Sequence, residues 1–154
     1  SGCAGYTING IPSEGFRNIT PKEGIKSLGG FAASNLVHIV GHAVVYGSMH
    51  KSWHIESARY EIVDGYLTDS EAAWAGRAGF IAQLIGGYAL NKLGPKNSYF
   101  VAGYNMGSFF KISTYPILEG TYSDLELISR NSNSELEYGL YTAASIYLMD
   151  IHKK

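Results

Sequence analysis

Four of the five histidines fall in one stretch, Phe31 to His54, as two equally spaced pairs: His38 with His42, and His50 with His54. The stretch is otherwise largely apolar and is broken by Asn35. Phe31, Asn35, Leu36, Ile39, His42, Ala43, Tyr46 and Met49 recur at intervals of three and four, which is a helical period. Val37, Val40, Val44 and Val45 fill the remaining faces. A helix apolar all round has its place at the centre of a fold, so 31–49 reads as a buried central helix ending near Gly47-Ser48.

The flanking sequence supplies further helices. Thr20-Pro21-Lys22-Glu23 is a helix start, with Thr as cap, Pro at the first position and Glu at the third; Gly29-Gly30 would interrupt or kink that helix. Residues 52–66 lack a clean period and read as extended, with Asp64-Gly65 as a turn. Thr68-Asp69-Ser70-Glu71 is a capping box opening a helix to Leu93, stopped by Gly94-Pro95. Its small residues repeat at four (Ala72/Gly76, Ala75/Gly79, Ala82/Gly86), which lets another backbone approach, and the first helix is the expected partner. Ser98–Thr114 reads as a third packed helix or as glycine-broken strands, ended by Tyr115-Pro116. Ser123 to Glu126 caps a short helix to Arg130. Ser134 with Glu137 caps a last helix whose apolar face holds Leu136, Leu140, Ala144, Tyr147, Leu148 and Ile151.

The fold class expected is therefore mainly α. It is a single compact domain of about four to five helices around the central helix 31–49, with one or two short strands near 53–66. Residues 1–24, rich in Gly, Ser, Asn and Thr, read as an N-terminal arm or tether, and 25–154 as the globular helical domain.

Composition narrows the function classes. A chain of 154 residues with 45% hydrophobic and 16% charged residues is ordered and fits one domain. Its net charge of −1 gives no electrostatic footprint for nucleic acid or for an anionic membrane. No uninterrupted apolar run reaches the length of a spanning helix, because the best candidate contains His38, His42 and Asn35, so the chain reads as soluble, with attachment to a membrane left open. Cys3 is the sole cysteine, so an internal disulfide is excluded. Its setting, Ser1-Gly2-Cys3-Ala4-Gly5, resembles the processed end of a bacterial lipoprotein, in which the cysteine is acylated. On that reading the protein is held by a lipid on Cys3 to a membrane of the bacterial cell envelope. The alternative is an ordinary cysteine.

His38 and His42, four apart, project from one side of a helix. That is the spacing by which one helix gives two imidazoles to zinc. The alternative is a pair of neutral core histidines, hydrogen-bonded to Asn35, tyrosines or a carboxylate. His50 and His54 read as an exposed helix end, and His152 beside Lys153 and Lys154 as a helix C-terminus. Arg77, on a close-packed helix, calls for Glu56, Glu61 or Asp64 as partner, or for an exit to solvent along its own stem.

The segment Leu36-Val37-His38-Ile39-Val40-Gly41-His42-Ala43 resembles the active-site helix of gluzincin-type zinc metallopeptidases, whose pattern is H-E-x-x-H. The resemblance extends over about forty residues, to Glu71-Ala72-Ala73-Trp74-Ala75 at the start of the next long helix. It implies a metal centre of His38, His42 and Glu71. Glu71 also has a purely local reading, as the third position of its capping box. At the place of the glutamate that serves as general base stands Ile39, which cannot take a proton. The resemblance therefore implies zinc without the usual hydrolytic machinery, or a base supplied from elsewhere, for which Glu56 and Glu61 are nearest in sequence.

Two functions compete on these grounds. The first is a membrane-tethered, non-catalytic lipoprotein with a zincin-like metal site. The second is an interaction or structural lipoprotein without metal, whose Gly- and Tyr-rich surfaces contact a protein partner. An active hydrolase with a displaced base is a further variant of the first. A helical protein whose Gly-x-x-x-Gly faces assemble in or on a membrane is a third class, opposed by the broken apolar runs.

Overall fold

The computed structural model describes residues 6–51, 53–56, 59–62, 66–118, 124–150 and 152–153. The architecture is mainly α. Six helices are described: α1 (Ser13–Arg17), α2 (Pro21–Ser48), α3 (Asp69–Leu93), α4 (Tyr99–Leu118), α5 (Asp124–Ser129) and α6 (Ser134–Leu148). Five short strands accompany them: β1 (Tyr6–Ile8), β2 (Ile11–Pro12), β3 (Trp53–Glu56), β4 (Arg59–Ile62) and β5 (His152–Lys153).

Helix α2 begins where its capping box dictates: Thr20 accepts from the Glu23 amide, and Glu23 returns to the Thr20 amide at 2.8 Å. The reciprocal bonds occupy two amides that a helix start otherwise leaves open. Gly29-Gly30 does not interrupt the helix. Gly30 lies against the backbone of Phe100 and Tyr104, where a Cβ would overlap the chain, so its role is close approach of α4. Thr68 and Glu71 form the same reciprocal cap on α3, which runs to Leu93. Within the expected extended stretch, β3 pairs antiparallel with β4.

Helix α4 runs past Tyr115-Pro116 to Leu118, keeping Pro116 in its last turn. A proline there forgoes the bond to the carbonyl four residues earlier, but only two residues of helix follow it. The cap of α6 is Asn133, which accepts from the Leu136 amide at 3.0 Å, and Ser134 is the first helical residue. Glu137 is thereby released from capping. It binds Arg77 in a two-pronged pair (2.8 and 2.7 Å), also accepting from Ser132 and Tyr141. Trp74 lies beside the guanidinium of Arg77, 5.4 Å from its ring centre.

The described part of the arm before α2 holds β1, β2 and α1. Asn9 (φ 49°) and Gly10 (φ 78°) form the two-residue turn between β1 and β2, the positive angles that an Asn-Gly hairpin turn requires. On its other edge β1 pairs with β5. Asn9, Asn91 and Asn105 all donate to the Leu148 carbonyl at the end of α6 (3.1, 2.8 and 3.0 Å), tying the hairpin, α3 and α4 to one oxygen.

Glycine contacts fix the helix directions. Ser34 of α2 is bonded by Gln83 late in α3, Gly41 faces Ala78, and Lys51 just past α2 bonds Tyr66 just ahead of α3, so the two run antiparallel. Gly103 and Gly107 of α4 face Ser27 and Ser34 of α2 in parallel order. The best-packed apolar cluster is Phe80, Ile112, Tyr115 and Ile128, at the α3–α4–α5 junction.

Burial on α2 corrects the reading of a helix enclosed on all sides. Its buried residues are Gly30, Ser34, His38, His42 and Tyr46, a single stripe at intervals of four. The expected apolar face of α6 is divided: Leu136, Leu140 and Tyr147 are exposed, while Leu148 is buried.

Candidate metal centre

His38 and His42 stand one turn apart on the buried stripe of α2, with side chains 5% and 0% exposed. Their Nε2 atoms lie 3.1 Å apart. Asp124, the first residue of α5, places Oδ2 3.2 Å from each of them, and its side chain is 6% exposed. Two nitrogens and one carboxylate oxygen thus converge on one point. Among the described residues, these three form the one cluster of metal-ligating side chains.

Local packing explains how the three meet. Gly79 of α3 receives the His38 ring, since a Cβ there would overlap it. Gly76, one turn earlier, lies against the Asp124 carbonyl and the Ile128 and Leu127 side chains, which lets α5 lie on α3. Tyr115 accepts from the Asp124 amide at 3.3 Å. The rings of Phe80, Tyr115 and Tyr46 wall the histidines, with centroids 5.5 Å (Phe80) and 6.1 Å (Tyr115) from His38 and 6.2 Å (Tyr46) from His42.

Gln83 sets the state of His38. Its Nε2 donates to the Ser34 carbonyl at 3.1 Å, which turns Oε1 toward His38 Nδ1 at 3.0 Å. An amide oxygen only accepts, so Nδ1 carries the proton and donates it. In neutral His38 the Nε2 lone pair then faces Asp124 and His42. When both rings instead carry the proton on Nε2, burial still pushes the Asp124 carboxyl up, but hydrogen bonds and charge from His38 and His42 outweigh it and hold the group well below the usual carboxylate range.

The sequence placed the two histidines correctly on one side of one helix. The carboxylate beside them is Asp124, not Glu71. Glu71 remains in its capping box, bonded to Thr68 at 2.8 Å, and that contact lowers its pKa. In the sequence Asp124 carries only the signal of a cap for a short helix, and Gln83 carries none. His50 is exposed at the end of α2 with a positive φ of 53°. His54 pairs with Glu61 in the β3–β4 register, and His152 belongs to β5 rather than to a helix end. Cys3, Asp64 and the side chains of Glu56 and Glu61 lie outside the described residues.

Comparison with known proteins leaves this geometry as the sole guide, because no family model, curated protein or solved structure matches the chain.

Proposed function

We propose that the chain is a metal-binding helical protein in which His38, His42 and Asp124 hold a divalent ion, zinc by the chemistry of its donors. The observation that carries this reading is the accounting of protons in the triangle. With His38 neutral and its proton on Nδ1, His38 Nε2 and Asp124 Oδ2 are both acceptors, 3.2 Å apart. A proton on His42 Nε2 serves one of its two short edges well and leaves the third without a donor. A cation at the centre satisfies all three at once. Zinc bonds to imidazole and carboxylate at about 2.0–2.2 Å, and tetrahedral angles then space ligand atoms roughly 3.3–3.5 Å apart, close to the separations here. The Gln83 bond to His38 Nδ1 is the outer partner that a metal-bound histidine ordinarily has.

The ion's role on this reading is structural. The three side chains are sealed from solvent, as structural sites are. Ile39 follows the first histidine where a hydrolase would carry its base, so a bound water would find no proton acceptor there. The ion fastens the short α5 to the long α2 across α3. A lipid on Cys3 is a separate matter, resting on its Gly-Cys context alone.

Metal analysis of tag-free protein tests the reading. One zinc per chain is expected, lost in His42→Ala and in Asp124→Asn and kept in Glu71→Gln. Folded protein that takes up no metal at saturating zinc would overturn it, as would loss of zinc in Glu71→Gln alone.

A further inference from the structure

The outer faces of the bundle are rich in large apolar side chains, while much of the inner helix packing around the Phe80, Ile112 and Ile128 cluster is small or polar. On α2 the buried residues are Gly30, Ser34, His38, His42 and Tyr46, whereas Leu28, Leu36, Val40 and Val44 are exposed. Helix α3 buries Ala72, Ala75, Gly76, Gly79, Phe80 and Gln83 and exposes Ile85 and Tyr88. Met106 and Phe110 of α4 and Leu140, Ile146 and Tyr147 of α6 are also outward. Leu148 is the single buried leucine among the described residues; Leu28, Leu36, Leu93, Leu136 and Leu140 are exposed. Leucine is ordinarily among the residues most often inside.

These outward side chains lie on four helices, so no single flat partner covers them. They also occupy one level. No charged residue occurs in 27–50 of α2 and its end, 78–91 of α3 or 138–149 of α6 and its end. At 1.5 Å per residue the α3 and α6 intervals span roughly 18–21 Å. Lys26 and Lys92 bound the belt at one side and can extend their stems to lengthen it toward the ~30 Å of a hydrocarbon core. Helix α2 is by itself long and apolar enough to cross a bilayer, with a mean hydropathy of 1.4 and only 28% of that window buried, unlike the mostly buried core helix of a soluble protein. The histidines that break its apolar run point inward, as polar groups in a membrane bundle do.

Charge is sorted between the ends. Because α2 and α4 begin where α3 and α6 finish, Arg17, Lys22, Lys26, Lys92 and Lys96 share one end with only three described acids, Glu14, Glu23 and Asp150. Counting residues whose side chains are described, the opposite end has six acids, one of them the buried Asp124, against four bases. Such an asymmetry suits a bilayer with anionic headgroups at the basic side.

We infer that lipid hydrocarbon surrounds this belt, so that the helices are embedded in a bilayer with the basic end at anionic headgroups. Spin labels read the environment directly. In full-length protein carrying Cys3→Ala, Val40→Cys, Ile85→Cys and Leu140→Cys are labelled singly, with Lys96→Cys as the aqueous reference. The protein is offered vesicles of phosphatidylcholine with and without phosphatidylglycerol. The belt labels are expected to collide with oxygen and to exclude a water-soluble nickel chelate, Lys96 showing the reverse, and the anionic lipid is expected to raise incorporation. Val40→Lys and Ile85→Lys, at exposed positions that leave the core intact, are expected to reduce retention in carbonate-washed membranes several-fold. Chelate access at all positions in a water-soluble monomer would overturn the inference. So would labels shielded from both colliders in a water-soluble oligomer, which would assign the belt to a second copy of the chain.

Discussion

Gln83 holds His38 in one tautomer: its Oε1 lies 3.0 Å from Nδ1 while its Nε2 is committed to the Ser34 carbonyl at 3.1 Å. Gln83→Leu removes the acceptor without opening a large void. Zinc affinity is expected to fall about 10- to 100-fold, the usual cost of losing a ligand's outer partner. Competition with a chromophoric chelator measures this, and an unchanged affinity would place Gln83 outside the centre.

An ion bound only by the folded state stabilises it by mass action. At a thousandfold excess over Kd the gain is about 4 kcal/mol. Chelation is therefore expected to lower the melting temperature of the parent protein and to leave that of Asp124→Asn unmoved. Calorimetry with and without chelator distinguishes the two, and equal responses would contradict the role given to Asp124.

Two glycines separate packing from propensity. A Cβ at Gly79 would overlap the His38 ring, whereas at Gly24 it would meet nothing within 4 Å. Gly79→Ala is expected to destabilise by about 1–3 kcal/mol through forced displacement. Gly24→Ala, inside α2 and free of neighbours, should stabilise by about 0.5–1 kcal/mol. Denaturant titration of both variants checks the contrast.

The Arg77–Glu137 pair has a pH signature. The Arg77 hydrogen bonds hold Glu137 down to about 2, against 4.5 for an ordinary glutamate. A depressed carboxyl contributes stability that is full above the unfolded value and fades as pH falls from about 4.5 toward about 2. The difference in stability between the parent and Glu137→Gln, roughly 1–2 kcal/mol for a part-buried, two-pronged pair, should be present at pH 6 and nearly gone at pH 2. A difference that does not change across this range would show that shape, not charge, holds the pair.

Helix existence was legible because its signals are local. Thr20, Thr68 and their partner glutamates mark two starts by reciprocal bonds, and the histidine spacing follows from 3.6 residues per turn. What lay outside local reach was which face turns inward. The period of α2 placed Leu36 and His42 in one series, yet Leu36 is 60% exposed and His42 is 0%. Asp124 and Glu137 were equally hidden, since each meets its partner across more than fifty residues of chain, and a capping position competes for every acid near a helix start. Pro116 was read as a stop because its missing amide matters mid-helix, but α4 has only two residues left when it arrives.

The turn at Asn9-Gly10 carries a chemical lifetime. An asparagine followed by glycine is the pair whose side chain most readily cyclises onto the next amide and loses ammonia. Here the amide at stake donates to both Leu148 O and Asn91 Oδ1. Its replacement by a carboxylate would set a negative charge against two oxygens it formerly bonded, and the knot joining the hairpin to α3 and α6 would repel itself. Old protein is thus expected to loosen first at this corner, far from the histidines, with a one-charge acidic shift on isoelectric focusing as its mark.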